Sequence, residues 1–84
     1  MRVLADARFM DLDRSKPVWP QVAAELRRRL DAGHYPPGDR FPAVVVLATE
    51  LDVAPSTVQK AVAALREEGR IYTVLGQGSF ASKP

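Results

Sequence analysis

Four polar side chains stand close together in the second half of the chain: Ser56, Thr57, Gln59 and Lys60. Gln59 could bond an adenine edge through two hydrogen bonds, and Lys60 could bind a guanine or a phosphate. The two hydroxyls, near a predicted helix start, could bind phosphates beside free backbone N–H groups. The alternative for Ser56 and Thr57 is that they cap the helix and are otherwise solvated.

A second candidate set is Gly76, Gln77 and Gly78, between two stretches of strand-like composition. The glycines supply the positive φ angles that a hairpin turn requires. The alternative is a turn without a partner. If the turn has a partner, the side chain of Gln77 would make the contact, with the tip at a groove of nucleic acid.

Three helices are predicted to position the first set. Val18, Val22, Leu26 and Leu30 repeat every four residues and indicate helix 1, ending near Ala32. Helix 2 is expected at about 43–51 and helix 3 at about 55–68, with a buried stripe of Val58, Ala61, Val62 and Leu65. The connection between them is short enough for a steep angle, and Asp52 tolerates a left-handed backbone there.

Two strands, at about 71–74 and 79–81, are predicted to flank the glycine turn, and Arg40-Phe41 is predicted to form a very short strand. The expected fold is α+β and mostly α: a winged helix-turn-helix with a three-helix core and a small antiparallel β-wing. The expected organisation is an N-terminal arm at 1–15, a winged-helix domain at 16–82 and a tail at 83–84. Phe9 and Leu12 are expected to dock part of the arm.

The size and composition of the chain limit the classes of function that it can have. With 84 residues and no cysteine, the chain has room for one domain without disulfides or Cys-type zinc sites. The net charge is only +2, so basicity alone is weak support for nucleic-acid binding. The longest apolar run, residues 43–48, is far shorter than the ~20 residues of a membrane span. A cytoplasmic protein is expected.

Little in the chain suggests catalysis or cofactor binding. The one histidine, His34, has no second metal-ligating residue at a suitable spacing, which favours a loop histidine. Neither a glycine-rich phosphate loop nor a pair of carboxylates in a predicted cleft is present. We therefore expect no enzyme activity, no cofactor and no metal site.

The order of these motifs resembles the DNA-binding domain of GntR-family bacterial transcription regulators, over about residues 16–81. The resemblance is carried by residues 22–30 (VAAELRRRL), 37–42 (PGDRFP), 47–53 (LATELDV), 57–61 (TVQKA) and 76–80 (GQGSF). It implies helix 3 in a major groove of double-stranded DNA and the wing at the adjacent minor groove. It further implies a homodimeric regulator, expected to be a repressor. Because the chain ends after the wing, no effector domain or small-molecule pocket is expected.

The chain departs from the family pattern where the family commonly has polar or cationic residues. Residues 43–46 (AVVV) replace a Ser-Glu-Arg-Glu segment, and residues 54–55 (AP) replace Ser-Arg. Uncharged residues also stand at four further positions where the family commonly has cations: Gln59, Thr73, Val74 and Gln77. Each missing phosphate contact weakens binding to any DNA. A winged-helix adaptor that binds protein is therefore the alternative function.

Two further runs have competing interpretations. Val44, Val45 and Val46 cannot all face the core, because three consecutive helical positions sweep about 200° of the helix surface. At least one is expected to be exposed, either as a tolerated surface valine or as a contact for a partner. Residues 27–29 (RRR) could form a nucleic-acid patch, but consecutive side chains diverge and Glu25 and Asp31 lie nearby. A solvated, ion-paired face is expected there.

Overall fold

A computed structural model of the chain describes residues 12–82. In chain order it contains α1 (Trp19–Asp31), α2 (Val44–Leu51), α3 (Pro55–Glu67), β1 (Ile71–Val74) and β2 (Gly78–Ala81). The predicted elements are all present, with bounds that differ by one or two residues. Phe9, predicted to dock the arm, lies outside the described residues, whereas Leu12 is half-buried. The division into arm, domain and tail stays a prediction.

The buried face of α1 packs on α3, and the four-residue repeat explains which side chains it buries. Val22 and Leu26 are fully buried, while Val18 and Leu30 lie at the edge of the core. Pro20 occupies the first turn, where its missing N–H has no helical partner to lose. None of the helices within residues 12–82 has the length and apolarity needed to cross a bilayer.

The turn between α2 and α3 depends on the backbone of Asp52. This residue is left-handed, with φ 57° and ψ 51°, and it ends α2 as predicted. The backbone N–H of the next residue, Val53, donates to the carbonyl of Ala48 at 3.1 Å. This carbonyl, in the last turn of α2, therefore has a hydrogen-bond partner. Val53 is half-buried against the core, so it fills the gap between the two helices.

The core joins all five elements. The predicted stripe of α3 is buried, and it meets apolar residues from α1, α2 and β1. The largest fully buried side chains are Leu26, Leu47, Leu65, Ile71, Val22 and Val58. Since α3 packs against α1, α2 and β1, burial of one face holds its opposite face outward.

The wing is a two-stranded antiparallel sheet with an extra contact from the loop before α2. Tyr72 pairs with Phe80 and Thr73 with Ser79. Arg40 forms an isolated bridge to Phe80, and the N–H of Phe41 donates to the carbonyl of Ser79 at 2.8 Å. The very short strand predicted at Arg40 is thus a single bridge that ties the loop to β2.

The expectation of a solvated face at residues 27–29 is wrong for Arg29, which is only 8% exposed. Its guanidinium donates to Glu25 at 2.8 Å, to Glu50 at 2.6 Å and to the hydroxyl of Tyr35 at 3.2 Å. The i,i+4 spacing to Glu25 was recognised from the sequence, but Glu50 belongs to α2. Arg29 is therefore an internal link between α1 and α2.

Candidate nucleic-acid interface

The outward face of α3 carries most of the polar side chains singled out from the sequence. Ser56, Gln59 and Lys60 are exposed, whereas Thr57 is half-buried. Successive helical residues turn by about 100°, so Thr57 falls on the flank of the helix and not on its most exposed line. It borders a shallow depression whose opposite side is the start of α1, at Pro17 and Trp19. The structure thus brings three of the four side chains onto one open surface.

The start of α3 excludes the alternative in which Ser56 or Thr57 caps the helix. The N-cap residue is Ala54, which makes no side-chain capping bond, and Pro55 is the first helical residue. The N–H of Thr57 donates to the carbonyl of Ala54 at 3.0 Å, so this amide is not the free donor that was expected. The hydroxyl of Ser56 stays exposed to solvent at the positive end of the helix.

The two halves of α3 differ in charge. The first half exposes Ser56, Gln59 and Lys60, while Glu67 and Glu68 are exposed at its end. Lys60 borders a second shallow depression, together with Trp19 of α1 and Glu67. The first half carries no carboxylate, so it is the part of this helix suited to lie along a polyanion, whereas the cation of the last turn, Arg66, donates to Thr73 of the wing.

The wing tip presents few side chains. Gly76 and Gly78 have φ angles of 81° and 111°, as expected for a glycine turn. The N–H of Gln77 closes the turn by donating to the carbonyl of Val74 at 2.9 Å, and the Gln77 side chain is exposed. Leu75, which the sequence reasoning did not single out, is 98% exposed beside it. The tip therefore offers one amide and one apolar side chain.

Two arginines that the sequence reasoning missed lie against the wing. The Nε of Arg66, from the last turn of α3, donates to the Oγ1 of Thr73 at 3.2 Å. The guanidinium carbon of Arg40 lies 5.6 Å from the ring centroid of Phe80. Phe80 also stacks on Tyr72, with 5.6 Å between ring centroids. Only the predicted short strand near Arg40 signalled this arrangement in the sequence.

The cations of the described chain fall into two groups. Lys16, Arg27, Arg28, Arg29 and Arg70 each lie within 4.0 Å of a carboxylate, and all but Arg29 are at the surface. In residues 12–82, the cations outside these pairs are Arg14, Arg40, Lys60 and Arg66. Arg14 donates to the backbone carbonyl of Asp52, in the turn before α3. The other three lie on α3 or against the wing.

The pKa values of Glu25 and Arg29 are shifted in the directions expected for side chains in ion pairs. The pKa of Glu25 is lowered, chiefly because Arg28 donates hydrogen bonds to its carboxylate; burial opposes this shift and Arg29 adds to it. Burial by itself would lower the pKa of Arg29, but hydrogen bonds to Glu50, Glu25 and Tyr35 outweigh it and raise that pKa. These charged side chains of α1 are thus paired with other side chains of the protein.

The valine run at the start of α2 splits as the helix geometry requires. Val44 is half-buried against the core, while Val45 is 66% exposed and Val46 56% exposed. Two valines are therefore open to solvent, which agrees with the expectation of at least one. In the described part of the chain no group of three or more His, Cys, Asp or Glu could hold a metal ion, and His34 is exposed in its loop.

Residues 20–80 match the model of "Bacterial regulatory proteins, gntR family". The chain belongs to the GntR family. It is similar to the HTH-type transcriptional repressor YtrA of Bacillus subtilis, with 36% identity over 69 residues, covering 82% of this chain and 53% of YtrA. It is also 35% identical over 66 residues, 79% of this chain, to YhcF of the same organism, of which it covers 54%.

Solved structures with the same fold include DNA complexes. A GntR family transcriptional regulator from Listeria monocytogenes superposes with a TM-score of 0.81 and 38% identity, over 87% of this chain and 64% of that one. The DNA-binding domain of AraR, crystallised in complex with operator ORE1, superposes with a TM-score of 0.72 and 28% identity, over 76% of this chain and 78% of that one. The predicted winged-helix fold is confirmed.

The chain spans about half the length of the curated relatives it matches, 53% of YtrA and 54% of YhcF. The aligned part of these regulators is thus the winged-helix portion. These relatives are transcription regulators and not enzymes, in agreement with the expectation from the sequence.

Proposed function

We propose that this chain is a sequence-specific DNA-binding module of a transcription regulator. The observation that carries the proposal is the distribution of charge: within residues 12–82, the cations without a carboxylate partner lie on α3, against the wing or at the turn before α3. Cations that neutralise phosphates supply most of the affinity of DNA-binding proteins, and paired cations contribute less. The surface formed by α3 and the wing is therefore the surface on which we expect a DNA duplex to bind.

In the proposed complex, the first half of α3 enters the major groove. Gln59 has the amide geometry to bond an adenine through two hydrogen bonds, and Lys60 carries the charge for a guanine or a phosphate. Ser56 and Thr57 would hold phosphates near the helix start, with Thr57 reaching from the flank. Residues at the start of a recognition helix commonly make such contacts.

The wing would lie at the neighbouring minor groove. The glycines of the turn, Gly76 and Gly78, leave the backbone uncovered for a close approach, and Gln77 can bond base edges there. This arrangement leaves the ion-paired outer surface of α1 away from the DNA.

Relatives support the class of function. YtrA is named a transcriptional repressor, and the AraR domain was crystallised with operator DNA. By analogy we extend the proposal to repression, to a homodimer on a two-fold-related site and to action in the bacterial cytoplasm.

Selection of bound duplexes from a random pool, using the purified chain, tests the proposal. Enrichment of one sequence motif would support sequence-specific binding, and two inverted half-sites in that motif would support the dimer. The absence of any enriched sequence, together with weak and salt-independent retention of all duplexes, would contradict it.

A second candidate function is favoured by the exposure of Val45 and Val46 on α2. Two neighbouring exposed valines suit a small apolar protein contact, and in that case the module would be a protein-binding adaptor. Salt titration of duplex binding by the unaltered chain separates the two functions. Affinity that falls steeply with salt and favours one sequence would support DNA binding, whereas flat and weak binding to every duplex would support the adaptor.

A further inference from the structure

The wing hairpin, residues 71–81, has no charged side chain in its own sequence. A hairpin tip that approaches a duplex meets the phosphates that border the groove, and neutralising those phosphates determines much of the affinity. The structure places two guanidinium groups from outside the hairpin against it. Arg40 comes from the loop before α2, and Arg66 comes from the last turn of α3.

The two arginines lie on opposite faces of the hairpin. Side chains of neighbouring residues in a strand point to opposite faces, so the Tyr72 and Phe80 pair faces away from the Thr73 and Ser79 pair. Arg40 bridges Phe80 and lies over its ring. Arg66 instead bonds Thr73. One cation therefore flanks each face.

The approach of Arg40 depends on the glycine at position 78. A Cβ atom built on Gly78 would lie 3.2 Å from the Nη1 of Arg40, tighter than most contacts of real Cβ atoms. The missing side chain lets the guanidinium rest beside the turn as well as over the aromatic ring. Within residues 12–82, no carboxylate forms an ion pair with it. Its charge is thus available at the wing.

Arg66 is oriented by a pair of hydroxyls. Thr73 accepts from the Nε of Arg66, and the Thr73 and Ser79 hydroxyl oxygens are 3.1 Å apart. Only Nε is engaged, so the two Nη groups have no hydrogen-bond partner among the described residues. These are the groups that bind a phosphate through two parallel hydrogen bonds.

We propose that Arg40 and Arg66 are phosphate-binding residues of the wing, one for each DNA strand that borders the minor groove. The minor groove is only about 6 Å wide, so a hairpin tip at its mouth has one backbone strand near each face. This inference rests on the proposed function. It adds that the charge for the wing is supplied by α3 and by the loop before α2.

Salt titrations of duplex affinity test this assignment. The variants are Arg40→Gln, Arg66→Gln and their combination, on the duplex enriched by selection or, if none is enriched, on the unselected pool. Each single variant is expected to reduce the slope of log affinity against log salt by about 0.9, and the double variant by about twice that. Arg28→Gln is the matched control, because Arg28 is exposed on α1 and paired with Glu25. Its slope should equal that of the unaltered chain.

Single uncharged methylphosphonates, placed at each phosphate in turn, locate the two contacts. The unaltered chain should lose affinity at one phosphate on each side of the minor groove, and each arginine variant should become insensitive at one of them. Arg40→Lys keeps the charge and should retain most of the slope. Folded Arg40→Gln and Arg66→Gln variants with the unaltered slope and sensitivity would overturn the inference. If the unaltered chain itself binds duplexes without salt dependence, the proposed function fails instead.

Discussion

Arg29 of α1 holds Glu50 of α2 through a hydrogen bond of 2.6 Å between its Nη2 and the carboxylate Oε2. The same guanidinium bonds Glu25 on its own helix and the hydroxyl of Tyr35 in the following loop. Tyr35 in turn packs edge-on against Phe41, with 4.9 Å between ring centroids. Because α2 precedes the turn into α3, this link fixes the helix that supports the candidate interface.

Replacing Arg29 by methionine should destabilise the fold. The change removes the shared cation of Glu25 and Glu50; because Arg29 is buried but the Glu50 side chain is 35% exposed, we expect a loss of about 1 to 3 kcal/mol. Urea unfolding followed by circular dichroism measures the loss. Arg28→Met is the control, since the Arg28 side chain is 60% exposed and its solvent-screened pair with Glu25 should contribute little to stability. Equal losses in the two variants would contradict the role given to Arg29.

Acid should weaken the fold through Glu25. The pKa of Glu25 is lowered from 4.5 in the folded chain, so its contribution is fully present above that pH and is lost as pH falls through the folded pKa. We expect the melting temperature of the unaltered chain to drop below about pH 4.5, with a shallower drop in Glu25→Gln. Parallel profiles for the two chains would show that Glu25 does not couple to folding.

Replacing Gln59 by alanine should change sequence preference. Loss of two hydrogen bonds to one base should cost about 1 to 3 kcal/mol at the preferred site and relax that base position. Binding to the selected duplex and to single-base variants of it provides the measurement. A uniform loss across all duplexes would place Gln59 away from the bases.

Replacing Lys60 by alanine should weaken binding to every duplex instead of changing the sequence preference. If its ammonium binds a phosphate, affinity falls for every duplex and the salt slope decreases by about one unit. Salt titrations of the selected duplex and of an unrelated one measure both quantities. A slope that stays at the value of the unaltered chain would rule out a phosphate contact by Lys60.

Substitutions at Asp52 test the turn into α3. Its φ of 57° is unfavourable for most side chains, so Asp52→Val should cost about 1 to 2 kcal/mol of unfolding free energy. Asp52→Gly should be neutral or stabilising, because glycine adopts this backbone without strain. Chemical denaturation of both variants measures these changes in the free energy of unfolding. Equal destabilisation by glycine and valine would mean that the carboxylate, and not the backbone angle, is what the turn requires.

Local patterns were sufficient to predict most of the fold. The apolar spacing along α3 identified Val58 and Leu65 as buried, and that stripe in turn determined which polar residues face outward. Asp52 was predictable because few residue types accept a left-handed backbone. Thr57 was placed less well, since its partial burial depends on how the start of α1 packs beside it.

Features that depend on distant partners were not predictable. Residues 27–29 are identical in type, and the burial of Arg29 depends on Glu50, which is 21 positions away. Arg40 likewise reaches the wing through a bridge to Phe80 that no local periodicity encodes. The sequence alone therefore suggested a wing without cations, because the residues that bring charge to it belong to other elements.

In the proposed complex, the first half of α3 and the wing form the DNA-contacting surface. Backbone amide chemical shifts of the labelled chain, recorded during titration with the selected duplex, test it most directly. We predict the largest changes at Ser56, Gln59, Lys60 and Gln77, and little change at Arg28 on the outer face of α1. Changes centred on Val45 and Val46 or on α1, with α3 and the wing unaffected, would contradict the account.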